Sequence, residues 1–287
     1  MTKPMLIKDM VGRELVSQYP KQTFEIGAPI FEVKNWSVYH PDYHSMKVVN
    51  DASFYLRKGE ILAFYGPMGA GRTELMMSIF GQSYGSHRVG EVFINGKKVD
   101  TSTPRKALNA GIGYASEDRK SLGLILLQDI KTNISASSLG KLSKLGVVNV
   151  PEEINAAEEY RKSLRIKTPS INQLTRNLSG GNQQKVVLSR CLLADPDIFI
   201  VDEPTRGIDV GAKFEIYTIL TDLAKQGKSV IMVTSEMPEA LGMADRIYVM
   251  NDGVIKGMLM RDEATQEKIM HMAISGQKDS STKEKAV

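Results

Sequence analysis

Apolar positions along the chain follow two rhythms. Short runs rich in β-branched and aromatic residues stand at 30–38, 48–56, 60–65 and 90–94, and the last meets an Asn95-Gly96 pair suited to a tight hairpin turn. Further on, nearly continuous apolar runs at 198–201, 229–233 and 246–250 alternate with helical periodicity at 183–193, 213–225 and 238–243. A strand apolar at every position is one buried on both faces, and strands alternating with helices predict a parallel α/β core. Residues 118–177 are helical and charged instead, as in 152–164, and predict a helical lobe inserted into that core. Residues 1–29 hold no sustained period and read as a lead-in or linker; 276–287 are polar and predict a disordered tail. One folded unit without an internal repeat, 30–275, lies between them.

Composition removes several classes of function. The net charge of +4 is too small to mark a nucleic-acid surface, and part of it lies in the tails, so no nucleic-acid partner is expected. Cys191 is the only cysteine, which excludes an internal disulfide and suits a reducing compartment. Set among Val186, Val187, Leu188, Leu192 and Leu193, it reads as core packing. No run approaches the roughly 18 apolar residues of a membrane helix, and the amino terminus lacks a secretion pattern. A cytosolic chain is expected, with any membrane role supplied by a partner. His40 and His44 are four apart, but Pro41 between them argues for a solvated loop over a metal site.

Candidate chemistry begins at Gly66-Pro67-Met68-Gly69-Ala70-Gly71-Arg72-Thr73, between the strand at 61–65 and a helical stretch at 74–80. Glycines there let backbone N–H groups converge on phosphate oxygens, the helix terminus adds partial positive charge, and Thr73 stands where a hydroxyl holds Mg²⁺. Arg72 takes the place of the usual lysine, exchanging a compact point charge for a bulkier planar fork, and this predicts binding more than rapid turnover. An ordinary glycine-rich turn is the plainer alternative. The apolar strand ending in Asp202-Glu203-Pro204 delivers Asp202 to its carboxyl end, where it serves Mg²⁺, and leaves Glu203 to polarise an attacking water. Taken alone, a surface turn after a core strand explains it equally well. Leu178-Ser179-Gly180-Gly181-Asn182-Gln183-Gln184-Lys185 opens a helix through Leu193, a terminus suited to an anion or simply a capped start.

Together these segments and Gly207-Ile208-Asp209 resemble the nucleotide-binding domains of ATP-binding-cassette (ABC) transporters over about residues 30–273. The resemblance implies an α/β P-loop NTPase fold of the ABC-ATPase type, with a mixed or parallel core sheet, an antiparallel β subdomain and an inserted α-helical subdomain at about 118–177. It implies ATP and Mg²⁺ as cofactors and a head-to-tail pair of domains, each ATP held between one phosphate loop and the other domain's signature helix. By resemblance, Gly66 to Thr73 contact phosphate, Thr73 and Asp202 serve Mg²⁺, and Glu203 is the general base. Ser179, Gly180 and Gly181 then face the partner's ATP, and Asp209 belongs to the segment that signals across the pair. Two further positions depart from the family: Glu117, in Ser116-Glu117-Asp118-Arg119-Lys120, stands for a glutamine, and Ser235 for a histidine that touches the terminal phosphate. Tyr39 and Tyr43 are the candidate aromatics for stacking on adenine.

As a set, Gly69-Ala70-Gly71-Arg72-Thr73-Glu74, Ser116 to Lys120 and Glu203-Pro204-Thr205-Arg206-Gly207-Ile208-Asp209 look like the second half of the fused ATPases of bacterial monosaccharide importers. The segment Met10-Val11-Gly12-Arg13-Glu14-Leu15 resembles the joint between halves, and residues 35–41 and 159–162 look closest to the multiple-monosaccharide and xylose type. The resemblance implies these partners: a second nucleotide-binding domain in the amino-terminal half, integral membrane permease subunits and, indirectly, a sugar-binding protein, all assembled at the cytoplasmic face of the membrane. The expected device is an asymmetric ATPase whose own site is degenerate and whose signature helix is intact, weakly active when isolated. Two rivals are a nucleotide-regulated partner domain without hydrolysis and a soluble cassette ATPase acting on nucleic acid or ribosomes. Against the second, such proteins usually insert long coiled coils or basic linkers, whereas the stretch between Glu117 and Ser179 is short and lacks sustained heptads.

Overall fold

The computed structural model describes residues 19–81 and 83–274; the joint-like segment at 10–15 and the tail at 276–287 lie outside the described residues. In chain order the strands are β1 (Pro29–Tyr39), β2 (Lys47–Arg57), β3 (Ile61–Tyr65), β4 (Arg88–Ile94), β5 (Lys97–Lys98), β6 (Ile112–Ala115), β7 (Ser143–Lys144), β8 (Val147–Val148), β9 (Ile198–Asp202), β10 (Ser229–Thr234), β11 (Arg246–Asn251) and β12 (Val254–Met260). A six-stranded sheet in the order β12-β11-β3-β10-β9-β6 is parallel except for β12, and an antiparallel sheet runs β2-β1-β4-β5. The β4-β5 hairpin turns on Asn95 (φ 50°) and Gly96 (φ 72°), the paired positive φ values its sequence signal called for.

The apolar runs of the central strands are continuous because two cores share them. Along β3, Ile61, Ala63 and Tyr65 join one core while Leu62 and Phe64 join the other. The same alternation divides Val230 and Met232 from Ile231 and Val233 on β10. The first core lies under the Gly180–Leu193 and Val210–Lys225 helices through Leu188, Tyr217 and Leu220. The second is closed by the antiparallel sheet through Phe31, Phe54 and Leu56. Cys191 is buried, its thiol donates to the Tyr114 carbonyl at 3.2 Å, and burial pushes its pKa up to about 12, which leaves it unreactive.

Several boundaries differ from the periodicity. The helix whose periodicity starts at 213 begins at Val210 behind an Asp209 cap, while the helix whose periodicity starts at 183 begins at Gly180, within the segment read as its capped start. Within the stretch that reads as a linker, Tyr19 and Phe24 are packed against the core and the Gly27 N–H donates to the Lys58 carbonyl at 2.9 Å. The Tyr19 ring lies 5.3 Å from that of Tyr217, and Lys21 makes a half-buried ion pair with Asp245 at 2.7 Å. Between 118 and 177 the chain forms a helical turn at Arg119–Gly123, helices Ile130–Ser135 and Val150–Ser163, and the small β7-β8 hairpin. Among the described residues no helix is long and apolar enough to cross a membrane.

Candidate active site

Parallel strands end on the same side of a sheet, and crevices form beyond their carboxyl ends. Here β3 runs into Gly66, β6 leads to Glu117, β9 ends on Asp202 and β10 leads to Ser235. These ends enclose a cleft of about 250 Å³ lined by Met68 to Glu74, Glu117, Glu203, Arg206, Ser235 and Glu236.

The glycine loop is held from below. A side-chain carbon at Gly66 would lie 2.2 Å from the Met250 carbonyl oxygen, and one at Gly71 would lie 2.8 Å from that of Val48. Gly71 also has φ 89° as the N-cap of the Arg72–Ile79 helix, whose first-turn N–H groups have no intrahelical acceptor. The Ala70 N–H donates to the Pro67 carbonyl at 3.1 Å and completes the loop. The Arg72 guanidinium turns back over this loop, 3.3 Å from Glu203 Oε1 and 3.4 Å from the Pro67 carbonyl. Both members of that ion pair are nearly buried, with side chains 7% and 8% exposed. Glu203 therefore faces the glycine loop, but through Arg72 and not across open space.

Asp202 is fully buried, and that burial pushes its pKa up to about 6, although the Tyr114 and Thr73 hydroxyls favour its charged form. Tyr114 Oη donates to Oδ2 at 2.9 Å, while Oδ1 has no hydrogen-bond partner. An unpaired buried carboxylate oxygen beside a threonine hydroxyl is a donor set that fits Mg²⁺ and its waters. Burial also raises the pKa of Glu203, opposed by the Ser235 hydroxyl and Arg72. Glu203 takes a left-handed φ of 44°, unusual for a side-chain-bearing residue.

Ser179, Gly180, Gly181 and Asp209 are not brought to this cleft. Ser179 is an exposed N-cap whose hydroxyl accepts from Asn182 Nδ2 at 2.9 Å, and exposed Asp209 caps its helix by accepting from the Ala212 N–H at 2.9 Å. Neither Tyr39 nor Tyr43 lines the cleft: Tyr43 is 67% exposed in the β1-β2 loop, and Tyr39 lies 5.7 Å from the His87 ring. Sequence reasoning missed Arg206, which pairs with Glu117, and Arg119, which donates to the Arg206 carbonyl at 2.8 Å. It also missed Tyr114, whose only signal was its place three residues before Glu117. An apolar groove of about 340 Å³ lies on the other side of Tyr114, lined among others by Met77, Phe80, Leu108, Leu122 and Val187.

A glycine loop between strand and helix, with a buried acid strand ending beside it, defines a P-loop nucleotide-binding cassette. Residues 49–206 match the ABC transporter family, and the chain belongs to it. It is 56% identical over 271 residues to an L-arabinose transport ATP-binding protein of Geobacillus stearothermophilus, covering 94% of this chain and 53% of that protein. It is 50% identical over 275 residues to a xylose import ATP-binding protein of Thermoanaerobacter pseudethanolicus, covering 96% of this chain and 54% of that one. The chain thus spans about half the length of the curated relatives it matches. Among solved structures, a nucleotide-free ATP-binding cassette from an ABC transporter superposes with a TM-score of 0.70 at 19% identity, over 86% of this chain and 99% of that one.

Proposed function

We propose that the chain is the ATP-binding and ATP-hydrolysing half of a tandem ATPase that drives monosaccharide import, its second half by the resemblance of its motif set. The observation that carries this reading is the convergence of Arg72, Thr73, Asp202, Glu203 and Ser235 at the strand ends around the glycine loop. Loop amides and the Arg72–Ile79 helix terminus bind the ATP phosphates. Thr73 and Asp202 would hold Mg²⁺, which neutralises phosphate charge when bound. Arg72 leaves Glu203 for phosphate, and the freed Glu203, held by the Ser235 hydroxyl, accepts the proton of an attacking water. The helix terminus at exposed Ser179 and half-buried Gly180, with buried Gly181 behind them, meets the nucleotide of the paired cassette, with Asp209 beside that contact. The apolar groove takes a segment of the membrane permease, which holds the assembly at the cytoplasmic face. Sugar choice belongs to the permease and its binding protein.

This site is the weaker of two. It keeps Glu203 but has arginine for lysine, glutamate for glutamine and serine for histidine at positions 72, 117 and 235. The Arg72–Glu203 pair also favours a second reading, a partner domain that binds nucleotide without cleaving it, since the acid is neutralised in place. Turnover separates them. The isolated chain is expected to bind ATP weakly and hydrolyse it slowly, and Glu203→Gln to remove that slow rate. No turnover by the isolated chain, together with an unchanged rate on adding Glu203→Gln to the chain paired with the other half, establishes the non-hydrolytic reading. Brisk turnover by the isolated chain, abolished by Glu203→Gln, overturns the asymmetry.

A further inference from the structure

Glu239, on the Met237–Met243 helix, is 1% exposed and lines no part of the cleft. Its carboxyl group accepts from three hydroxyls: Thr205, Tyr217 at 2.7 Å and Thr234 at 2.6 Å. Each comes from a different segment, and each of the three donors is itself buried to 1% or less. Thr205 stands two residues after Glu203, and Thr234 immediately precedes Ser235. The nearest cation, Lys213, lies 3.7 Å away and pairs more closely with Glu236, at 2.6 Å. Burying a carboxyl group is costly, and an apolar residue of similar volume would fill the same space at less cost. What the acid supplies that an apolar residue does not is direction: three acceptor contacts that set where three backbones lie.

We propose that Glu239 is a positioning residue that keeps the Glu203 turn and the Ser235 turn in one fixed relation. One backbone bond and one backbone-to-side-chain bond mark these turns. The Arg206 N–H donates to the Glu203 carbonyl at 3.1 Å, and the Glu236 N–H donates to Thr234 Oγ1 at 3.0 Å. Thr234 is thus used twice, donating to Glu239 and accepting from the residue after Ser235. Between the turns the Glu203 N–H donates to the Val233 carbonyl at 2.9 Å, so a shift of either turn carries Glu203 with it. Glu203 sits at a left-handed φ that its own residue type does not favour, and the surroundings must hold it there. The Glu239 hydroxyl cluster is the buried group tied to both sides of that residue.

The inference rests on the reading of Glu203 as the base, and two measurements on the full chain keep the two apart. Amide hydrogen exchange reads the turns directly. Glu239→Gln, which points an amide donor at hydroxyls that already donate, is expected to speed exchange at both Arg206 and Glu236 by about tenfold or more. Unchanged exchange at either turn overturns the proposal, whatever Glu203 does. Single-turnover hydrolysis of labelled ATP with Mg²⁺ reads the consequence. Thr234→Val and Glu239→Gln are expected to lose about tenfold in rate with the ATP dissociation constant held within about threefold, and Thr234→Ser to recover the parent rate. Loss of affinity in proportion to rate, or a Thr234→Val chain that cleaves ATP at the parent rate while Glu203→Gln does not, overturns it. If Glu203→Gln itself cleaves at the parent rate, the reading of Glu203 fails and the exchange result alone decides the cluster. Thr234→Val keeps the test open if Glu239→Gln does not fold.

Discussion

Arg72 shows how one substitution redirects a site. Lysine would meet phosphate as a point charge, whereas this arginine reaches back to Glu203 and the Pro67 carbonyl; on the proposed function, nucleotide competes with that internal partner for the same guanidinium. Asp202 makes a sharper prediction. Burial raises its pKa to about 6, so on the proposed function the acid holds, below that pH, a proton that Mg²⁺ would have to displace, and above it the carboxylate is ready. The gain in ATP affinity on adding Mg²⁺ is therefore expected to be flat above pH 6 and to fall by up to about tenfold per pH unit below it. Nucleotide titrations with and without Mg²⁺ across this range check it. Asp202→Asn should remove both the gain and its pH dependence.

At the scale of elements, the signature helix shows how two adjacent glycines differ in purpose. A side-chain carbon on Gly181 would lie 2.5 Å from Ala212 Cβ, at the crossing of the Gly180–Leu193 and Val210–Lys225 helices. One on Gly180 would lie 3.0 Å from Arg119 Nη2, the far end of a flexible side chain that must loosen its bonds to the Arg206 and Gly207 carbonyls to give way, and 3.3 Å from the Gly207 carbonyl oxygen. Gly181→Ala is expected to cost about 1–3 kcal/mol by overpacking, and Gly180→Ala less, since what must move there is chiefly the end of one long side chain. Urea unfolding of the two variants measures the difference. Neither glycine lines the chain's own cleft, so ATP affinity of the isolated chain should stay unchanged in both.

Across the whole molecule, one tyrosine divides cleft from groove. The Tyr114 hydroxyl donates to Asp202, and its ring stacks on Phe80 at 5.5 Å within the apolar groove. On the proposed function a permease segment fills that groove. Met77→Glu, which places a charge in the groove wall, is expected to abolish co-purification with the permease while ATP binding by the chain persists. Retained co-purification places the permease contact elsewhere.

The linear order of residues by itself determined the α/β alternation, the strand-loop-helix around Gly66 to Thr73, and the acidic end of β9. Each of these is local: a run of apolar residues or a glycine spacing is visible within a dozen positions. The sites of Thr73, Asp202, Glu203 and Ser235 were legible as separate segments, and the parallel sheet explains why such segments meet. Tertiary structure alone decided the Arg72–Glu203 pair, the Glu117–Arg206 pair and the cluster at Glu239, whose partners lie 131, 89 and up to 34 residues apart. It also decided that Tyr19 and Lys21, in a stretch featureless in periodicity, meet Tyr217 and Asp245. Contacts of that kind depend on how sheets and helices are stacked, and side-chain polarity along the chain carries no record of which distant donor will arrive at a buried acid.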